Sequence, residues 1–256
     1  MARVIAFSNQ KGGVGKTTSC VNIAAALGKL GKRVLLIDLD PQGNATSGLG
    51  VEKKNIKHTI YDVLVKGESI RDGIVVTKFK NLHMVPSTVD LAGAELELRE
   101  LTGEGNRPNG LAVVEEIKEN YDYILIDCPP SLGMLTLTAL SYADGVIIPM
   151  QCEFFSLEGL SQLLVTIKRV RQHYNQNLQI TGILLTMFNG RLTLTRQVVD
   201  ELKKYYADKI FKTPISRSVK LSEAPSFGAP ICYYDPTSKC AEEYKAVAKE
   251  IIKQTV

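Results

Sequence analysis

The sequence predicts an α/β fold: a doubly wound, mostly parallel sheet with helices on both faces. Short β-branched runs alternate along the chain with longer stretches of helical periodicity, which is the pattern of βαβ units. The short runs are apolar at nearly every position, as strands covered on both faces require. No linker rich in Pro, Gly or Ser divides the 256 residues, so we expect a single domain over residues 1–256.

The elements follow from these two periodicities. The predicted strands are residues 3–7, 33–38, 81–86, 121–127, 145–149 and 180–187. The predicted helices are residues 16–30, 90–101, 109–119, 133–142, 156–174, 192–206 and 237–254. The last helix carries one apolar stripe, Ala241, Tyr244, Val247, Ala248, Ile251 and Ile252. Glu and Lys occur together on its other positions, so we expect it to pack on the core and not to bind a membrane.

Composition excludes several classes of protein. Apolar residues make up 45% and charged residues 23% of the chain, and runs such as VLLI are far shorter than the roughly 18 residues that span a bilayer. Five cysteines without a C-x-x-C pair argue against a disulfide framework and a zinc ribbon. We therefore expect a cytoplasmic protein with no membrane partner.

Positive charge is concentrated in the C-terminal half. Residues 163–222 contain eleven Lys and Arg but only three Asp and Glu, in a chain with a net charge of +4. This asymmetry indicates a surface that faces a polyanion. The alternative is a set of solvated helix faces, which charge counting alone does not exclude.

Residues 9–18, NQKGGVGKTT, lie between a predicted strand and a predicted helix. The glycines allow the backbone to point successive N–H groups at one oxyanion, and the helix adds its positive N-terminal end. We therefore expect a phosphate ligand, with Lys16 on its β and γ groups, Thr17 on Mg²⁺ and Thr18 on its α group. A glycine-rich turn needed only for packing would not require Lys-Thr-Thr.

Acidic residues follow two other strands. Asp127 ends the apolar run YILID, where a carboxylate is costly unless a cation meets it, and Mg²⁺ held through water is a suitable one. The alternative is that Asp127 caps the next helix. Asp38 and Asp40 end the run VLLIDLD, and one of them is placed to orient the attacking water. Asp40 lies further into the loop and Asp38 would support the loop or the metal ligands, although position alone does not decide between them.

Residues 11–17 match the pattern K-G-G-x-G-K-[ST] of the deviant Walker A P-loop ATPases. Further segments resemble the ParA group of partition ATPases, and its Soj-like chromosomal members most closely: DLDPQGNATSGLG, PSTVDLAGAELEL, LIDCPPSLG and LSEAPSFGAPI. The resemblance covers essentially the whole chain. It implies a P-loop NTPase fold and the small form of these proteins, which lacks an N-terminal helix-turn-helix.

The resemblance also assigns a role to the second lysine of the loop. In this superfamily that lysine reaches the phosphates bound by the other subunit, so Lys11 implies an ATP-sandwich homodimer with ATP and Mg²⁺ as cofactors. Each Lys11 would offset phosphate charge across the interface, and without ATP the two lysines would repel. Among the catalytic residues Lys11, Lys16 and Asp40, the resemblance makes Asp40 the water-activating aspartate. Asp127 becomes the Walker B acid.

The resemblance implies three further sets of residues. Nucleotide-binding residues are Lys11, Gly12, Gly13, Val14, Gly15, Lys16, Thr17 and Thr18, with Asn189 and Pro214 as candidate base contacts. Metal-binding residues are Thr17, Asp127 through water, and Asp38 in a supporting position. DNA-binding residues are Arg191, Arg217 and Lys220.

The expected function is that of a nucleoid-associated ATPase. ATP would drive dimerisation and binding to double-stranded DNA without sequence preference, and a ParB/Spo0J-type partner would stimulate hydrolysis and release. Two alternatives remain. A MinD-like membrane-cycling ATPase normally ends in a basic amphipathic helix, whereas this sequence ends in IIKQTV. A non-hydrolysing scaffold would use nucleotide only to support a DNA-binding fold.

Overall fold

The computed structural model describes residues 1–103, 108 and 110–254. In this part of the chain one sheet contains seven strands. Their bounds are β1 Arg3–Phe7, β2 Val34–Asp38, β3 Val75–Val76, β4 Leu82–Val85, β5 Tyr123–Asp127, β6 Gly145–Gln151 and β7 Gln179–Thr186.

The strand order is β3-β4-β2-β5-β1-β6-β7, and every neighbouring pair is parallel except β3 with β4. The predicted fold class is therefore confirmed. The register places Asp127 opposite Phe7 on one side and opposite Asp38 on the other. As a result, the carboxyl ends of β1, β2 and β5 meet at one edge of the sheet, where an α/β fold binds its ligands.

Helices cover both faces of the sheet. Their bounds are α1 Lys16–Lys29, α2 Asn44–Gly48, α3 Ile60–Val65, α4 Ala94–Thr102, α5 Met134–Tyr142, α6 Ser156–His173, α7 Thr193–Tyr206, α8 Val219–Glu223, α9 Ile231–Tyr234 and α10 Lys239–Lys253. Shorter 3₁₀ helices span Lys53–Asn55, Val89–Ala92, Ala112–Asn120, Ala207–Lys209 and Ala224–Phe227.

Two hydrophobic cores result from the alternation of side chains along the strands. Val4 and Ala6 pack with α3 to α7 on one face, and Ile5 and Phe7 pack with α1 and α10 on the other. The predicted stripe of α10 belongs to the second core, with Ile252 partly buried at its margin. No helix in the described residues is both long and apolar enough to cross a membrane.

The structure corrects the sequence prediction in its short elements. The helix predicted at 109–119 is a 3₁₀ helix, Ala112–Asn120, and Asn109 lies outside the described residues. Its buried residues, Val114 and Ile117, are three apart, which matches the three-residue turn of a 3₁₀ helix. The helix predicted at 90–101 begins only at Ala94, after a separate 3₁₀ turn. The strand β3 and the helices α2, α3, α8 and α9 were missed because two to six residues show no measurable periodicity.

Candidate active site

The loop between β1 and α1 has the backbone geometry of an anion cradle. Gly13 and Gly15 adopt φ values of 71° and 81°, in the left-handed region that glycine favours, and α1 begins at the next residue, Lys16. A cavity of about 240 Å³ opens there. Its lining includes Gly12, Gly13, Gly15, Lys16, Thr17, Thr18, Asp40, Gln42 and Asn44. The structure therefore brings most of the predicted phosphate-binding residues together with Asp40.

Neighbouring strands brace this loop. The Thr186 hydroxyl, at the end of β7, donates to the Val14 carbonyl at 2.8 Å. The Gln151 side-chain amide, at the end of β6, donates to the Gly13 carbonyl at 2.9 Å. Thr186 and Gln151 were not predicted from the sequence. Their position at strand ends was the available signal, but the sequence does not reveal that β6 lies beside β1 and β7 beside β6.

Lys16 lies beneath the loop and is only 6% exposed. Its ammonium group donates to the Lys11 carbonyl at 3.1 Å. Burial lowers the pKa of Lys16, and the negative charges of Asp127 and Asp40 oppose this shift. A buried ammonium group beside a glycine-rich loop is suited to bind an anion, because the two opposite charges form a strong hydrogen bond when both are removed from water.

Asp127 is fully buried, and neither of its carboxylate oxygens has a hydrogen-bond partner among the described residues. Burial, followed by the charge of Asp38, raises the pKa of Asp127 well above its usual range, whereas the Thr17 hydroxyl, which is close but not in hydrogen-bond geometry, and the charge of Lys16 lower it. An orphaned carboxylate of this kind is costly unless a cation or its water shell satisfies it. Carboxylate and hydroxyl oxygens are ligands that Mg²⁺ prefers, so Asp127 and Thr17 fit the metal expected from the sequence.

The hydrogen bonds separate the two candidate aspartates of the next strand. Asp38 is fully buried and accepts from the Thr46 amide at 2.8 Å, the Thr46 hydroxyl at 2.7 Å and the Asp40 amide at 3.2 Å. Burial raises the pKa of Asp38 to about 6. Asp40 lines the cavity instead, and its Oδ1 accepts from the Gln42 amide at 2.9 Å. Asp38 therefore shapes the loop that presents Asp40.

Lys11 does not line the 240 Å³ cavity. Its amide donates to Asn9 Oδ1 at 3.0 Å, and its ammonium group forms an ion pair with Glu153, just beyond β6. Because this pair neutralises Lys11 within its own chain, the repulsion that we expected between two unliganded lysines is reduced. Glu153 was not found from the sequence.

A second cavity, of about 580 Å³, adjoins the loop at Gly15 and Thr18. Met187, with a left-handed φ of 49°, and Ser216 contribute to its lining. Neither candidate base contact lines this cavity. Pro214 lines a separate cavity, and the side chain of Asn189 accepts from the Arg191 amide at 3.1 Å.

The three candidate DNA-binding residues are all exposed but lie in different settings. Arg191 precedes α7 in a loop. Arg217 lines the 580 Å³ cavity beside the loop. Lys220, on α8, has its ammonium group 3.3 Å from Glu223 Oε2, so part of its charge is already offset.

Comparisons with known proteins agree with this geometry. A family model described as an AAA domain matches residues 2–180. The sporulation initiation inhibitor protein Soj of Bacillus subtilis (strain 168) is 54% identical over 251 residues, which are 98% of each chain. The chromosome partitioning protein ParA of Myxococcus xanthus (strain DK1622) is 49% identical over 255 residues, covering 99% of this chain and 89% of that protein.

A related solved structure carries the ligands that the sequence led us to expect. Cobyrinic acid a,c-diamide synthase from Mycobacterium smegmatis, with bound ATP analog and magnesium, has a TM-score of 0.85 and 35% identity. The match covers 100% of this chain and 96% of that chain. Together with the near-complete alignment to partition proteins, these findings show that the chain belongs to the ParA/Soj family of chromosome-partitioning ATPases.

Proposed function

We propose that the protein is a Mg²⁺-dependent ATPase of DNA partition. ATP closes two copies into a homodimer, which binds double-stranded DNA without sequence preference and releases it after hydrolysis stimulated by a ParB/Spo0J-type partner. Such a protein acts in the cytoplasm on the nucleoid. The observation that supports this most directly is the buried Asp127 carboxylate, which has no hydrogen-bond partner among the described residues and lies near Thr17 and Lys16.

The residues of the cavity divide the chemistry among them. Backbone N–H groups of residues 12–15 and the Lys16 ammonium group bind the phosphates. The Thr17 hydroxyl and, through water, the Asp127 carboxylate hold Mg²⁺, which supplies positive charge where negative charge develops on the phosphates. Asp40 orients the attacking water, and Asp38 keeps Asp40 in place through the loop to Thr46.

The other proposed contacts lie at the edges of the cavity. Lys11 reaches the phosphates of the second copy, and Asn189 and Pro214 remain sequence predictions for the adenine base. Arg191, Arg217 and Lys220 contact DNA phosphates, and two copies in one dimer double the number of these contacts. Weak binding by a monomer therefore becomes stronger once ATP has joined two copies.

The size of an Asp40→Ala variant in solution tests this proposal. Without hydrolysis, the variant should be a dimer with ATP and Mg²⁺, a monomer without them, and bound to nonspecific duplex only as the dimer. Lys16→Ala serves as the control, since it should bind no ATP and remain monomeric. An Asp40→Ala protein that stays monomeric when saturated with ATP and Mg²⁺ contradicts the proposed dimer. Sedimentation with anionic vesicles in the same buffers detects the membrane-cycling alternative.

A further inference from the structure

We propose that Glu153 is a positioning residue that holds Lys11 in the nucleotide-free protein, and that ATP moves Lys11 from Glu153 to the phosphates bound by a second copy. The inference rests on the proposed function, in which Lys11 crosses between subunits. It adds the residue from which Lys11 must be released.

The end of β6 and the turn that follows it hold the loop at three places. The Asn9 side-chain amide donates to the Pro149 carbonyl at 2.8 Å, and the Gln151 side-chain amide donates to the Gly13 carbonyl at 2.9 Å. The third is the ion pair of Lys11 with Glu153. Since the first two contacts fix the loop against the end of β6, the Lys11–Glu153 pair forms between elements that are already positioned, and little further conformational freedom is lost.

The ion pair between Lys11 and Glu153 is weak enough for Lys11 to exchange Glu153 for a phosphate group. The Lys11 and Glu153 side chains are 37% and 52% exposed, so water screens their attraction and the pair is weak. A bound triphosphate presents several negative charges in a site closed to water, where its attraction for an ammonium group is greater. Lys11 is therefore expected to exchange Glu153 for phosphate when the triphosphate is bound. While the phosphates are absent, the pair with Glu153 is the more favourable interaction.

Glu153 is not left as a buried, unpaired carboxylate when Lys11 leaves. It lies three residues before the start of α6, and its carbonyl accepts from the Ser156 amide at 3.0 Å. Its carboxylate stays accessible to water and lies near the positive end of an 18-residue helix, so it keeps favourable surroundings after Lys11 has left. The two residues that follow, Phe154 and Phe155, are 74% and 67% exposed, so this turn also presents apolar surface beside Lys11.

The experiment compares Glu153→Gln with Glu158→Gln. Both variants remove one negative charge from exposed positions of the same segment, and Glu158 forms no ion pair in the described part of the chain. The first measurement is the rate at which a brief pulse of amine-reactive reagent labels Lys11 in the nucleotide-free protein, read by mass spectrometry. The second is the dimer dissociation constant with a nonhydrolysable ATP analogue and Mg²⁺, from analytical ultracentrifugation.

We expect Lys11 in Glu153→Gln to react faster than in wild type, because no carboxylate holds its ammonium protons, and Glu158→Gln to match wild type. Each dimer exchanges two such pairs, so the dissociation constant of Glu153→Gln should fall by about twofold to thirtyfold. Glu153→Asp, which keeps the carboxylate, should restore slow labelling at least in part.

Equal labelling in wild type and Glu153→Gln would overturn the proposal, because Lys11 would then not be held. A dissociation constant that is unchanged, or raised, relative to the Glu158→Gln control would also overturn it. A wild-type protein that stays monomeric when saturated with the analogue contradicts the proposed function instead, and in that case the labelling rates still decide whether Glu153 holds Lys11.

Discussion

Asp38 and Asp127 lie directly opposite each other at the ends of β2 and β5, and both are fully buried. Two carboxylates in this position repel, and burial adds to the cost of ionising either one. Asp38 is satisfied by Thr46 and the Asp40 amide, whereas Asp127 has no hydrogen-bond partner among the described residues. The protein therefore carries an unfavourable charge arrangement that a cation at Asp127 would relieve.

The raised pKa of Asp38 predicts a pH dependence of stability. Its folded pKa of about 6 lies above the ordinary value of about 3.9, so ionisation favours the unfolded chain. This contribution is present below pH 4 and is lost as pH rises through 6. An Asp38→Asn variant lacks this group. Between pH 4.5 and 7.5 the free energy of unfolding of wild type should therefore fall by about 2 kcal/mol relative to that of the variant. Urea denaturation of the nucleotide-free proteins at both pH values measures the gain, and a pH-independent difference would show that the Asp38 pKa is not raised.

At the scale of elements, the position of α1 depends on one close backbone contact. Gly28 lies near the end of this helix, where a β-carbon would stand 2.3 Å from the Lys80 carbonyl oxygen. The next residue, Asn81, has a left-handed φ of 55° and donates from its side chain to the Gly28 carbonyl at 3.3 Å. Helix α1, which follows the glycine-rich loop, therefore packs directly against the turn before β4.

Substituting this glycine tests the contact. Ala normally stabilises a helix by about 1 kcal/mol relative to Gly, but Gly28→Ala must push α1 away from backbone atoms and should lower the free energy of unfolding by about 1–3 kcal/mol. The matched control is Gly159→Ala in α6, where a β-carbon meets no atom within 4 Å apart from the backbone of its own helix. That variant should be more stable than wild type. Thermal and urea denaturation give both values, and effects of the same sign would refute the steric argument.

At the scale of the whole molecule, the distribution of charge is the main indication of a polyanionic partner. Residues 163–222 contain eleven Lys and Arg but only three Asp and Glu. Several of these cations are engaged already, since Lys204 pairs with Glu201 at 2.6 Å and Lys220 lies 3.3 Å from Glu223. Arg191 and Arg217 are exposed and form no ion pair in the described part of the chain, but Arg217 lines the 580 Å³ cavity, so Arg191 is the candidate that a single substitution tests most directly.

Arg191→Ala should therefore weaken binding to all duplex sequences equally. Each lost phosphate contact lowers the slope of log affinity against log salt by about 0.9, so a dimer that loses one contact per copy should show a slope smaller by about 2. Lys249→Ala, an exposed cation on α10 outside the basic region, is the control and should leave the slope unchanged. Fluorescence anisotropy of the ATP-bound dimer across a salt series measures both. Equal slopes for wild type and Arg191→Ala would remove Arg191 from the interface.

Some residues of the candidate site are recognisable along the sequence, whereas others are close to it only in the folded chain. The loop residues and the strand-end acids Asp38, Asp40 and Asp127 could be found from the sequence because strand, glycines, lysine and helix are consecutive, and because a charged residue that ends an apolar run is conspicuous. Glu153, Gln151 and Thr186 were missed because they are close to the loop only in space, across 135 or more positions of the chain.

The sequence by itself determined the α/β class, the glycine-rich loop between β1 and α1 and the family, since these depend on local periodicity and on residues adjacent along the chain. Only the tertiary structure decided that β1 lies between β5 and β6, that Asp38 supports the loop while Asp40 lines the cavity, and that Lys11 pairs with Glu153. The physical reason is that these facts concern which strand ends meet at one edge of the sheet, and strand order is set by long-range packing of both sheet faces rather than by local preference.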